Sequence, residues 1–207
     1  MENRKKMYAV HPGVAHAQAI IDNLASRTGR SLDEWCDLVG RDGPGEKRAR
    51  RDWLKTEHGV GGTTASLITD VADGEKPENY DADAYLDAAV GYVNALYSGK
   101  KAHLAAIHDA LIALSRDLGT DVRISPCRTL VPVYRNHVIA QIKPSTLTRV
   151  DFGLALKGAE TPFPAPLIET GGLEKGDRIT HRIPLTRVDE IDDEVERWLV
   201  KAYELDA

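Results

Sequence analysis

TLVPVYRNHVIAQIKPSTLTRVDFGLALK, residues 129–157, is the stretch whose reading decides the fold class. Within it Val150, Phe152, Leu154 and Leu156 stand at every second position, with Arg149, Asp151 and Gly153 between them. A period of two puts alternate side chains on opposite faces, so the run reads as a half-buried β-strand. TLVPVYR and VIAQIK repeat the pattern, and the breaks at Asn136-His137 and Pro144-Ser145 suit antiparallel neighbours. Downstream, RITHRIPL adds a fourth strand in which Ile179, His181, Ile183 and Leu185 share a face. An antiparallel β-meander follows.

Outward from the sheet the period becomes helical. Ile191, Val195, Trp198, Leu199 and Ala202 form a C-terminal stripe suited to covering the sheet, and Leu104, Ile107, Leu111, Leu114 and Leu118 form another before it, with Gly119 as its expected stop. Residues 158–176 carry three prolines and no clear period. Such a length suits a lid or a mobile segment, with Phe163, Leu167 and Ile168 as apolar anchors. Further upstream everything is helical. Ala17, Ile20, Ile21 and Leu24 mark a first helix that Gly29 would end; Ser31 and Glu34 form a capping box for a second; a third runs from about Glu46 to His58, with Gly59 as its left-handed terminal residue. The acidic DGEKPENYDAD then interrupts the pattern. The expected class is α+β, with an all-α helical domain over 1–78 and an antiparallel sheet packed by helices over 79–207.

The chain has 207 residues, 42% apolar and 29% charged, with a formal net charge of −5. That balance is globular and excludes a protein coated with positive charge for wrapping nucleic acid. No secretory leader or membrane span is legible, so a cytoplasmic location is expected. Cys36 and Cys127 are too far apart for a metal knuckle or a redox pair, and reduced thiols are expected.

GRSLDEW, LKTEHGVGGTTASLI, IKPSTLTRVDFGLALKG, THRIPL and VDEIDDEVERWL together resemble an uncharacterised bacterial two-domain family. It joins a helical domain of unknown function of the 4287 type to a C-terminal, predicted-transport-protein-like domain of unknown function of the 5655 type. The resemblance implies two domains, the second α+β, and brings no reaction and no catalytic residues.

Two candidate sites emerge from the residues. HGVGGTTASLI, residues 58–68, also resembles a helix-hairpin-helix, in which glycines let the backbone approach a nucleic-acid phosphate. Gly59, Gly61, Gly62, Thr63 and Thr64 would supply that grip, with Arg48 and Arg51 of the preceding basic helix nearby. The competing reading is a compact interhelical turn whose glycines are steric necessities. On the sheet, alternation places Gln141, Lys143, Arg149, Asp151, Thr180 and Arg182 on one polar face. There Lys143, Arg149, Asp151 and Arg182 would form a site for a small anionic ligand, or the face is simply solvated.

Catalytic chemistry finds no motif. GxSxG, the phosphate-binding GxxxxGK[ST] and HExxH are all missing, and the histidine pairs five apart do not align on a helix face. His181 falls on the apolar strand face as a core histidine, and Arg128 beside Cys127 could lower that thiol's pKa. No metal and no cofactor is expected. The leading expectation is a non-enzymatic binding or regulatory protein contacting nucleic-acid phosphate through the hairpin; the alternative is a ligand-binding protein or enzyme using the sheet face.

Overall fold

The computed structural model describes residues 7–159 and 165–207. They form two compact units. The first is Val10–Asp87; the second is Ala88–Ala207 together with the described residues before Val10. No helix among the described residues is long and apolar enough to cross a membrane.

In the first unit, α1 (Pro12–Asp22) and α2 (Leu24–Thr28) replace the single expected helix. The break is at Asn23, whose side-chain amide donates to the Ala19 carbonyl at 2.8 Å; Gly29 then ends α2 at φ 77°. Helix α3 (Leu32–Asp42) opens on the reciprocal box, in which Ser31 N–H donates to Glu34 Oε2 at 2.7 Å and Glu34 N–H to Ser31 Oγ at 3.3 Å. Helices α4 (Lys47–Thr56) and α5 (Gly62–Ala72) form an antiparallel hairpin. Leu24, Trp35, Val39, Leu54, Val60, Ala65 and Ile68 make the core. Trp35 is buried without polar cost, because its indole N–H donates to Thr28 Oγ1 at 2.8 Å.

Helix α6 (Ala82–Leu96) follows the acidic stretch, and α7 (Ala105–Asp117) carries the Ile107 and Leu111 stripe into the second unit's core. The helix ends directly before Gly119, as expected, although Gly119 is not left-handed. A side chain there would meet Asp121 Oδ1 at 2.7 Å and the Tyr203 hydroxyl at 2.8 Å, so it would have to displace the hydrogen bond between those two groups.

The sheet comprises β1 (Arg123–Ile124), β2 (Val131–Tyr134), β3 (Val138–Lys143), β4 (Val150–Leu154), β5 (Ile168–Glu169) and β6 (His181–Leu185), in the order β1-β2-β3-β4-β6-β5. Every pairing is antiparallel. Register aligns Val131, Ile142, Phe152 and Ile183 across four strands, and all four are buried. Helix α9 (Asp193–Glu204) lays Val195, Leu199 and Ala202 into the same core. Asp192 fixes where it starts, its Oδ1 accepting from the amides of Glu194 and Val195 at 3.1 Å each.

The segment after Gly158 is not without regular structure where it is described. Its second half supplies the edge strand β5 and the short helix α8 (Gly172–Lys175). Leu167 packs against the core, whereas Ile168 is 42% exposed and anchors nothing. Phe163 lies outside the described residues.

Candidate functional site

The α4–α5 turn is built by one left-handed glycine and one buried valine. Gly59 takes φ +65°, a left-handed conformation that side chains resist, and Val60 is buried, its amide returning to the Leu54 carbonyl at 3.1 Å. Gly61 is the N-cap of α5, at φ −61° and ψ 149°, with no side-chain cap. The first-turn amides of Gly62, Thr63 and Thr64 therefore lack an intrahelical acceptor and carry the positive end of the helix dipole. Gly61, Gly62 and Thr63 are exposed and Thr64 is half-buried. A Cβ added at Gly61 or Gly62 would meet nothing within 4 Å, so the fold itself does not require glycine at either position.

The basic residues do not join this turn. Lys47 Nζ and Arg51 Nη2 each lie 2.8 Å from Asp70 Oδ1, and Arg50 pairs with Asp73. Antiparallel packing sets the early residues of α4 against the late residues of α5, at the end of the hairpin away from Gly61. Arg51 is thus committed to Asp70, more than one helical turn before the α4 C-cap, and Arg48 is exposed on the same helix. Burial alone would raise the Asp70 pKa; the hydrogen bonds from Lys47 and Arg51 hold it below the usual value. The candidate set of Gly59, Gly61, Gly62, Thr63, Thr64, Arg48 and Arg51 is therefore divided, its glycines and threonines gathered at the turn and its arginines elsewhere.

His58, the first residue of the 58–68 stretch, packs between aromatic rings. Its ring lies 5.4 Å from that of Trp35 and 4.4 Å from that of Trp53, edge-on to both. Nε2 is buried without a hydrogen-bond partner. Two tryptophans on successive helices are the signal that could have assigned this histidine to packing.

On the sheet, register places Lys143 opposite Asp151, and Gln141 and Arg182 on either side of Gly153. Asp151 gathers both arginines. Arg182 Nη1 donates to Oδ1 at 2.8 Å; Arg149 Nε lies 2.8 Å from Oδ1, off the hydrogen-bond direction, while its Nη2 donates to Oδ2 at 3.3 Å. Burial would raise the Asp151 pKa, but contacts with Ser145 and the two guanidiniums hold it below the ordinary range. The face thus carries its own counterion. Lys143 is exposed at the strand's end. Thr180, expected on this face, is fully buried instead, because it precedes β6 and its Oγ1 accepts the Leu156 amide at 3.1 Å. A recess of about 430 Å³ opens beside Gln141, bordered by Thr170, Asp177 and Arg178.

Arg178 belongs to a cluster with no local sequence signature. It donates to Asp206 Oδ1 at 2.6 Å; His137 Nδ1 lies 2.9 Å from the same oxygen, and the His137 amide donates to Oδ2 at 2.7 Å. Asp206 is buried, which would raise its pKa, yet His137 and Arg178 outweigh this and lower it. Nearby, Arg135 stacks 4.1 Å over the Tyr203 ring and bonds Asp121 at 2.9 Å. The β2–β3 turn so fastens the residues after α9.

His181 is 3% exposed opposite Leu154, and burial lowers its pKa, with Glu169 opposing. Burial pushes the Cys127 thiol up, so the lowering expected from Arg128 does not prevail. Among the described residues no group of three or more His, Cys, Asp and Glu side chains is placed to hold a metal ion.

Comparison with known proteins gives two family matches. The model described as Domain of unknown function (DUF4287) matches residues 16–74, within the helical unit. The model described as Domain of unknown function (DUF5655) matches residues 93–206, which include all six strands. No curated protein and no solved structure matches the chain.

Proposed function

The chain belongs to the family described as Domain of unknown function (DUF5655), preceded by a DUF4287 segment; since those descriptions assign no activity, we propose from the side chains that it is a cytoplasmic, non-enzymatic binding or regulatory protein. Its N-terminal hairpin contacts phosphate groups of a nucleic acid. One observation carries this reading: Gly61 and Gly62 are exposed glycines that the fold does not need, standing over uncapped amides. A missing side chain there costs helix stability and lets a phosphate oxygen reach the backbone. With Arg50 and Arg51 held by Asp73 and Asp70, few cations reach the phosphates. Binding is therefore weak, and its salt dependence is that of one or two phosphates, about three- to tenfold between 50 and 200 mM salt. Fluorescence anisotropy with labelled short duplex DNA and single-stranded RNA tests it. Gly62→Val keeps the helix and should abolish binding; no binding by the unaltered chain at low salt, or equal binding by the variant, overturns the reading.

The convergence of Arg149 and Arg182 on Asp151 favours a second reading, a small anionic ligand on the sheet face near Lys143. Such a ligand would have to displace Asp151, so Asp151→Asn should increase the thermal shift given by inorganic phosphate. An unchanged shift counts against it.

A further inference from the structure

The recess of about 430 Å³ beside Gln141 falls within the size range of small-molecule sites, and neither reading uses it. Its floor begins at Gly153, the one residue of β4 without a side chain. A Cβ there would meet Gln141 Cγ and Ile179 Cγ2 at 2.7 Å each, so the bare backbone is what lets both side chains fold in over the strand. Gln141 is thereby laid against the sheet, and Ile179 with Val138 forms the apolar part of the lining.

Thr170, Asp177 and Arg178 complete the lining, and the loop that carries them is tied down. Thr170 Oγ1 donates to the Ile179 carbonyl at 3.0 Å and accepts from the Gly172 amide at 3.2 Å, while the Asp177 amide returns to the Gly172 carbonyl at 2.8 Å. Arg178 is held at two points, its Nε donating to the Val138 carbonyl at 3.3 Å and its Nη2 to Asp206 Oδ1 at 2.6 Å. Those bonds use two of the five guanidinium N–H groups and leave three as fixed donors. Asp206 already offsets the Arg178 charge, so a plain anion gains little at this place. Asp177 is exposed, and among the described residues its carboxylate, like the Gln141 amide, has no hydrogen-bond partner. Consecutive residues thus offer one recess the donors that suit a carboxylate and the acceptor that suits an ammonium.

We propose that this recess binds a free α-amino acid with a small aliphatic side chain. The ligand carboxylate takes the remaining Arg178 donors, its ammonium takes the Asp177 carboxylate, and its side chain lies on Ile179 and Val138. Gln141, donor and acceptor at once, serves either polar end. An α-amino acid carries both charges on a single carbon, as the recess carries its two on adjoining residues. The site uses neither the α4–α5 hairpin nor Lys143, so Gly62→Val and the outcome with inorganic phosphate leave it untouched.

Amide proton–nitrogen correlation NMR of the full chain, titrated with L-valine, isobutylamine and isovalerate, tests the assignment. The last two keep the branched end of valine and each lack one of its charged groups. L-valine should shift the Asp177 and Arg178 amides and the Gln141 side-chain amide saturably, with millimolar affinity because both charged residues are exposed. It should bind about three- to fivefold more tightly than either analogue, the upper range for one exposed ion pair. Asp177→Asn, at an exposed position, should weaken L-valine by the same factor and leave isovalerate unchanged. The proposal is overturned by no saturable shift with L-valine, by shifts confined to residues outside the recess, by either analogue binding as tightly, or by Asp177→Asn binding L-valine as the unaltered chain does.

Discussion

Replacing Gly59 and Gly62 in turn by alanine should move stability in opposite directions. At Gly59 the backbone is left-handed, φ +65°, with nothing within 4 Å of an added Cβ. The whole effect is therefore backbone strain, about 1–2 kcal/mol against the variant, offset in part by the smaller conformational entropy of the unfolded chain, roughly 0.4–1 kcal/mol. A net loss of about 1 kcal/mol is expected. Gly62 is the first residue of α5, with ordinary helical backbone and equally open surroundings. No strain opposes alanine there, so the unfolded-state term stands alone and the variant gains about 0.4–1 kcal/mol. Urea unfolding followed by tryptophan fluorescence reads the difference, since Trp35 and Trp53 belong to this unit. A Trp198→Phe background removes the signal of the other unit. If Gly62→Ala destabilises as much as Gly59→Ala, glycine at 62 serves the fold, and the case for a reserved phosphate approach collapses.

Two further outcomes follow from the buried charges. Asp206→Asn should cost about 2 kcal/mol, towards the lower end for hydrogen bonds to a charged group because Arg178 is half-exposed; an unchanged melting temperature would show that His137 and Arg178 do not hold Asp206 in solution. Acidification should destabilise in two stages, read as melting temperature against pH. His11 and His181 are shifted down by burial, so the unfolded chain binds more protons once pH falls below about 6.5, and stability begins to drop there. Asp70, Asp151 and Asp206 are also lowered, so their contribution is complete above about 3.9 and is lost as pH falls through their folded values. A melting temperature constant from pH 7 to 4.5 would contradict the first stage.

Much of the architecture was legible because it is local. Ser31 and Glu34 are three residues apart, and the box they form depends on nothing else. The left-handed Gly59 and the alternation from Val150 to Leu156 likewise involve a few neighbouring residues. Even the Arg50–Asp73 and Arg51–Asp70 pairs could have been found, since the partners stand about equally far along the chain on either side of Gly61.

By itself, then, the sequence determined the helical half, the change of period and the alternating faces of the sheet, because backbone preference and side-chain periodicity act over a few residues. Tertiary structure alone decided which charges meet. Arg182 reaches Asp151 across a strand pairing, Arg178 and His137 meet Asp206 from distant parts of the chain, and β5 forms only because β6 offers it an edge. Those contacts depend on register and packing between segments far apart in sequence, and they settle whether an arginine is available to a ligand or already held by the protein's own carboxylates.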